Sequence, residues 1–331
     1  MANLVENMAF VRETPWHGLG QRLPENQPIE VWQKAAGMDW NVRESDVLYS
    51  VSGGDGLHLK TNPDNKVLFR SDTLVPLSVV SKRYKVVQPK EILEFYRSLV
   101  SAGGMELETA GVLKGGKKLW ALAKTNQETV LRGGDKVKAY LLLATSCDGT
   151  LCTQAFFTSV RVVCNNTLQL AVNGSSGVVR VPHSTTFDPA LVKHELGLGM
   201  SAWESFTRSI KALAARPVSE AEAKAYLVNV LGDPNLSLTE QPKPVKTVFE
   251  LFSGRGMGAG MASADGTAWG LLNALTEHVD HVRQARTKDN RIDSAWFGVG
   301  AAIKAKAFQE AMRLTAWSST HAAISSTSSL G

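Results

Sequence analysis

Cysteine is scarce in this chain: three in 331 residues, Cys147, Cys152 and Cys164, with no CxxC spacing. An odd count without close ligand pairs argues against a disulfide framework and against a structural zinc site, and it fits a reducing compartment. No apolar run approaches the roughly 20 residues needed to cross a bilayer. The opening Met-Ala-Asn-Leu-Val-Glu-Asn has no basic stretch followed by an apolar core, so no secretory signal is read there. No Ser or Cys stands in a nucleophile elbow, and no Gly-Lys-Ser/Thr ending completes a P-loop. These absences give the expectation of a cytoplasmic protein without membrane spans, cofactor, metal or assigned catalytic residue, in which binding outweighs chemistry.

What is present is the pattern of an α+β protein. Pro89 can open a helix to about Val100, where Ile92, Leu93, Tyr96, Leu99 and Val100 follow helical spacing. An antiparallel β-meander follows. Glu106–Leu113 and Lys117–Lys124 flank the turn Lys114-Gly-Gly116, and Lys136–Ser146 and Leu151–Val163 flank Asp148-Gly149. Asn165-Asn166-Thr167 reads as a helix cap, with a short helix from Asn166 to Val172. Short strands are also expected near Leu48–Val51, Lys66–Arg70 and Leu77–Val80.

Beyond residue 186 the pattern turns helical. Asp188-Pro189 opens a long helix to Ala215, with Leu196, Trp203, Phe206, Ile210 and Leu213 on one seam. Ser219 with Glu222 forms a capping box. Further helical runs lie near Val245–Phe252, Thr267–His281 and Trp296–Leu314. The expected division is an α+β domain over 1–186, a helical region over 187–316 and a disordered tail over 317–331.

The net charge is +5, unevenly spread. Residues 81–140 hold twelve Lys/Arg against six Asp/Glu, residues 281–313 hold seven against three, and residues 1–50 hold four against seven. Basic segments of this kind are the footprint of a polyanion binder, or simply of a solvated face. The candidate nucleic-acid contacts are Lys82, Arg83 and Lys85 around Tyr84; Lys114, Lys117 and Lys118 on a hairpin beside Trp120; and Arg132 at the next loop. Arg161 with the helix start at Asn165 and Asn166 forms a phosphate site. Arg283, Arg286 and Arg291 form a second cluster. Basic tips with interleaved aromatics suit a groove that follows a nucleic-acid backbone.

Other motifs have two readings each. Gly254–Gly260 could cradle a phosphate or be a mobile loop. His278 and His281 have metal-compatible spacing, yet His278 shares a stripe with Leu271, Leu275 and Val282 and reads as a packed histidine. His17 in the turn Pro15–Gly20 has no partner acid or nucleophile. Cys164 reads as a small buried residue.

Several stretches together resemble an uncharacterised phage- and plasmid-related family, catalogued as a domain of unknown function. They are Pro15-Trp-His-Gly-Leu-Gly20, Phe157-Thr-Ser-Val-Arg-Val-Val-Cys-Asn-Asn-Thr-Leu168, Gly266-Thr-Ala-Trp-Gly-Leu-Leu-Asn-Ala-Leu-Thr-Glu-His-Val-Asp-His281 and Ser294-Ala-Trp-Phe-Gly298. Ser159 stands where the family pattern has proline. The resemblance implies a mobile-element origin, a bacterial host cell and a DNA-transaction setting, with no established activity. The helix–meander–helix order is also similar, more loosely, to single-strand annealing proteins of the RecT, Redβ and Rad-type superfamily. From these comes the expectation of a single-stranded DNA-binding and annealing protein in recombination, acting as a homo-oligomer. The alternatives are a nucleotide- or nucleic-acid-processing enzyme using the glycine loop and His278, or an interaction protein that inhibits a host defence factor.

Overall fold

In the computed structural model, residues 8–12, 20–163, 166–169, 178–197 and 200–327 are described. The expected turn around His17, along with Cys164 and Asn165, lies outside them. The strands are β1 Met8–Phe10, β2 Gln21–Arg22, β3 Val42–Gly53, β4 Gly56–Arg70, β5 Pro76–Ser81, β6 Glu106–Leu113, β7 Lys118–Leu131, β8 Asp135–Ser146, β9 Thr153–Arg161, β10 Asn166–Gln169 and β11 Val178–Val181. The helices are α1 Ile29–Ala35, α2 Pro89–Gly103, α3 Pro189–Gly197, α4 Met200–Ala215, α5 Glu220–Leu231, α6 Lys243–Glu250, α7 Ala268–Glu277, α8 Lys288–Phe297 and α9 Val299–Thr327. Leu251–Arg255 and His278–Val282 are π-helical turns following α6 and α7. The expected α+β class, with a helical C-terminal region, is what the chain adopts.

The chain forms two compact units, and neither is one continuous stretch. The first takes residues 1–126, 140–157 and 178–198, and the second takes 127–139, 158–177 and 199–331. The boundary does not fall at a single point near 186 because the long strands β7, β8 and β9 contribute residues to both units. The serine- and threonine-rich composition from 317 points to a disordered tail, whereas α9 runs to Thr327.

In the first unit, the sheet runs β11-β9-β8-β7-β6-β1-β2. Helix α2 packs against it. Gln88 and Glu91 close its first turn as a capping box, Pro89 occupies the position where no N–H is needed, and Gly104 ends it at φ 63. Its buried stripe is Ile92, Leu93, Phe95 and Tyr96. The Tyr96 hydroxyl reaches the carbonyls of Ala121 on β7 (2.8 Å) and Leu141 on β8 (3.0 Å), so the polar end of a wholly buried ring is satisfied.

A second sheet, β3-β4-β5, belongs to the same unit. Its base is covered, with Trp40, Val42, Leu68, Leu77 and Val80 buried. A register shift between Asp46 and Val47 coincides with Asn62-Pro63-Asp64, where the Asn62 side chain accepts from the N–H groups of Asp64 (2.9 Å) and Asn65 (3.2 Å). Proline is tolerated at such a bulge. Past it, β3 and β4 continue as a ribbon that no third strand joins among the described residues.

In the second unit, β10 pairs with β9, placing Asn166 opposite Arg161 and Leu168 opposite Ser159. The expected helix from Asn166 to Val172 is therefore corrected to a strand over Asn166–Gln169: ladder bonds to β9 outweigh the local capping signal. The helices pack their apolar faces together, with Phe206, Ile210, Leu213, Tyr226, Leu227, Val248, Leu271, Leu272, Leu275 and Ala307 buried. The expected helix 188–215 is helical over α3 and α4, with residues 198–199 between them outside the described ones, and α8 was not expected at all.

Candidate nucleic-acid interface

In the first unit, hydrogen bonds tie four loops together at one end of the large sheet. The Cys147 N–H donates to the Lys117 carbonyl (2.7 Å), joining the β8–β9 turn to the β6–β7 turn. The Ser78 hydroxyl on β5 donates to the Cys147 carbonyl, and the Tyr84 hydroxyl to that of Ser146 (2.7 Å). His183, just past β11, has Nδ1 3.0 Å from the Lys85 carbonyl and Nε2 3.0 Å from that of Leu151. Its ring stacks on Tyr84 with centroids 4.2 Å apart. The Lys85 N–H in turn donates to the His183 carbonyl (2.6 Å).

This web brings Lys82, Arg83, Lys85, Lys114 and Lys117 to the same end. Arg83 and Lys85 are exposed, and Lys114 and Lys117 are half-buried. Lys82 is exposed but has an acidic partner, with Nζ 2.5 Å from Asp46 Oδ1. The turn itself is specified by glycine. Gly116 has φ 104, and a Cβ there would lie 3.1 Å from both Leu77 and Trp40, so a larger residue would push the basic turn off its support.

Two expectations about this end are corrected. Lys118 is 6% exposed and belongs to the buried surface of β7, not to a groove. The interleaved aromatics are core residues: Trp120 is 0% and Tyr84 8% exposed, which leaves neither ring available for stacking on a base. Burial also pushes the Tyr84 hydroxyl above its ordinary pKa and the Cys147 thiol up to about 12, with Asp148 adding to the latter.

The second unit treats its predicted residues differently. Arg161 is 2% exposed. Its Nε lies 2.9 Å from both Asp135 oxygens, and its terminal nitrogen donates to Asp135 Oδ2 (2.9 Å) and the Gly258 carbonyl (3.1 Å). Asp135, wholly buried, also accepts from the Ser263 hydroxyl (2.6 Å) and the Trp269 indole N–H (3.0 Å). A charge so paired is not offered to a phosphate. Asn166 is 4% exposed, and its amide donates to the Asn273 carbonyl (3.1 Å). The neighbouring Thr167 N–H is taken by Asp280 (2.8 Å) rather than left open at a helix start. The proposed phosphate site at Arg161 and Asn166 is thus corrected to an internal polar network.

Lys304 completes that network. Its ammonium lies 2.7 Å from Asp280 Oδ1 and donates to the Thr167 hydroxyl (2.7 Å). Burial lowers its pKa, and the Asp280 charge works against that shift. The sequence reading missed Asp135, Lys304 and His183, and had Asp280 only as a neighbour of the two histidines. Lys304 alone carried a signal, since it stands on the helical stripe of Gly300, Ala307 and Ala311. Asp135 after Gly133-Gly134 looks like an ordinary turn residue.

The remaining basic residues divide. Arg132 is exposed, with Nε donating to the Ala262 carbonyl (3.0 Å). Arg283 donates to the Ser294 hydroxyl (2.9 Å), and Arg291 to the His281 carbonyl, which fastens the second π-helical turn to α8. Arg286 is exposed. The glycine loop is held as well. Gly258 carries Arg161 on its carbonyl, its φ is 69, and a Cβ would come 2.8 Å from Val163. The Met257 N–H donates to the Glu277 carboxylate (2.9 Å), whose pKa burial raises. His278 is buried, and burial, then nearby Arg283, lowers its pKa.

Among the described residues no group of three or more His, Cys, Asp or Glu is placed to hold a metal ion, and no helix is long and apolar enough to cross a membrane. A cavity of about 280 Å³ in the first unit is lined by Arg12, Trp32, Arg97 and Glu106 among others. Its arginines are matched by acids, Arg12 with Glu25 (3.1 Å) and Arg97 with Glu30 (2.6 Å). A family model described as a domain of unknown function (DUF932) matches residues 76–296. Neither a curated protein nor a solved structure matches the chain.

Proposed function

The chain belongs to the DUF932 family, and from that premise we propose that it binds single-stranded DNA, with the basic loop end of the first unit as its phosphate contact. The observation that carries this reading is the gathering of Arg83, Lys85, Lys114 and Lys117 by one hydrogen-bonded web of loops. These residues come from chain positions about thirty apart, and Arg83 and Lys85 among them are exposed. Phosphate neutralisation is sequence-independent, so the contact suits a protein that holds a strand without reading it. With Tyr84 and Trp120 in the core, affinity rests on charge more than on stacking. The setting that fits is strand annealing in the recombination of a phage or plasmid, by several copies of the chain, in the cytoplasm of a bacterial host. The likeness of the quoted motifs to phage- and plasmid-related proteins supports that setting.

The enzymatic alternative has less support: the glycine loop spends the Met257 N–H and Gly258 carbonyl on internal partners, and His278 is buried. No specific contact favours an inhibitor of host defence. Filter binding of a poly-thymidine oligonucleotide tests the proposal. With four phosphate contacts, affinity falls roughly 50-fold between about 50 and 200 mM salt. No binding at low salt, or binding indifferent to salt, removes it.

A further inference from the structure

The β3–β4 ribbon is the least explained part of the molecule. Beyond the shift at Asp46/Val47 it pairs, among the described residues, only with itself, since β5 stops opposite Asn65. A lone two-stranded hairpin is marginal in water, and a long uncharged edge is a template for another strand. Here the edge is uncharged from Val47 to Ser52, and Leu48, Leu57 and Leu59 are 53%, 73% and 68% exposed.

The pairing register sorts the ribbon's side chains. Leu48 lies opposite Thr61, Ser50 opposite Leu59, and Ser52 opposite Leu57. Opposed residues share a face, so one face carries three leucines with Ser50, Ser52 and Thr61 and no charge. The other carries Val47, Tyr49 and Val51 with Asn62, Lys60 and His58. An uncharged leucine face is unsuited to a polyanion and calls for protein.

The outer edge identifies that protein. Val42 directs its N–H and carbonyl away from β4, for both bond the Gln88 side chain (2.8 and 3.1 Å). The two-residue repeat carries that outward orientation to Glu44, Asp46, Leu48, Ser50 and Ser52. We propose that β3 pairs antiparallel with β3 of a second copy of this chain, about a two-fold axis at Leu48. In that register every outward residue meets an outward residue: Leu48 meets Leu48, Asp46 meets Ser50, and Glu44 meets Ser52. On the opposite face Tyr49 meets Val47, and Ser45 meets Val51. No like charges oppose one another anywhere along the strand. The contact is isologous and therefore closes at two copies, turning two three-stranded sheets into one of six. The leucines of both ribbons then form one strip on a single face, with Tyr49 and Lys60 on the other. This names the surface for the assembly proposed above, and it does not depend on DNA.

Light-scattering mass measurement in the absence of nucleic acid tests the pairing. The wild-type chain is expected to weigh as two copies. Ser50→Pro removes an outward N–H that β4 does not use, so the hairpin survives while the mass halves. Leu48→Cys supplies a second reading. Directly opposed, hydrogen-bonded residues have Cα atoms about 5.5 Å apart, within disulfide range. Oxidation should therefore link this variant into covalent pairs, above the background of the parent chain, and leave Leu57→Cys unlinked. A monomeric wild type overturns the proposal. So does a folded Ser50→Pro chain that still pairs, or a Leu57→Cys chain that links as readily as Leu48→Cys. If Ser50→Pro loses its circular dichroism, the cysteine pair decides alone. Loss of oligonucleotide binding with the mass unchanged counts against the DNA reading and leaves the pairing standing.

Discussion

Arg161 in the second unit and Arg83 in the first are both arginines expected to contact phosphate, yet they do opposite things. Arg161 is 2% exposed and shares Asp135 with a serine and a tryptophan. Arg83 is exposed, next to a tyrosine whose hydroxyl is spent on a backbone carbonyl. Lys304 and Lys85 repeat the contrast, the first locked against Asp280 and Thr167, the second exposed on a loop whose backbone bonds His183. At these positions the second unit uses cations as internal fasteners between strands and helices, and the first displays them on hydrogen-bonded turns. Formal charge alone does not separate the two uses; a buried acid within hydrogen-bonding distance does.

The contrast breaks most visibly at Asp135. Asp135→Ala strands a buried guanidinium and orphans Ser263 and Trp269, and should cost about 3–5 kcal/mol in urea unfolding. A loss below about 1 kcal/mol would mean that the network is not a fastener. The folded fraction of this variant should keep its oligonucleotide affinity.

A smaller effect is expected at His278. Its folded pKa lies below the ordinary value of 6.5 because the ring is buried. As pH falls, the unfolded chain therefore takes up the proton first. Stability from this residue is present above about pH 6.5 and is lost as pH drops through the folded value. His278→Gln should flatten that part of the urea-midpoint profile; an unchanged difference between the two proteins across this range contradicts the assignment.

The smallest effect belongs to the displayed charges. Lys82→Ala removes a surface pair with Asp46 and should change stability by no more than about 1 kcal/mol. A larger loss in the same urea titration would place Lys82 among the fasteners.

Much of the framework could be read from the chain. Strand β6 spans the expected residues, Glu106–Leu113, and the turns at Lys114-Gly-Gly116 and Asp148-Gly149 join the strands they were expected to join. These are local signals, with glycines at φ 68, 104 and 73 doing what only glycine does easily. The failures are non-local. Asn165-Asn166-Thr167 is a sound cap signal, but the Thr167 N–H finds Asp280, which lies 113 residues away. Asp135 and Arg161 stand 26 apart, at the far ends of a strand pair whose turn was legible but whose side-chain partners were not. The ribbon was underestimated because its distal half is exposed on both faces and shows no alternation to read. At the candidate interface the positions of the cations were legible. Their convergence was not, because it depends on His183 and the β8–β9 turn.

Oligonucleotide titrations on the triple variant Arg83→Glu/Lys85→Glu/Lys117→Glu, run beside the wild type at several salt concentrations, test the central claim most directly. The account predicts a large loss of affinity at low salt and a salt slope shallower by about 2, the share of three single-strand phosphate contacts, with folding unchanged. A folded variant that binds poly-thymidine with wild-type affinity and slope would contradict it.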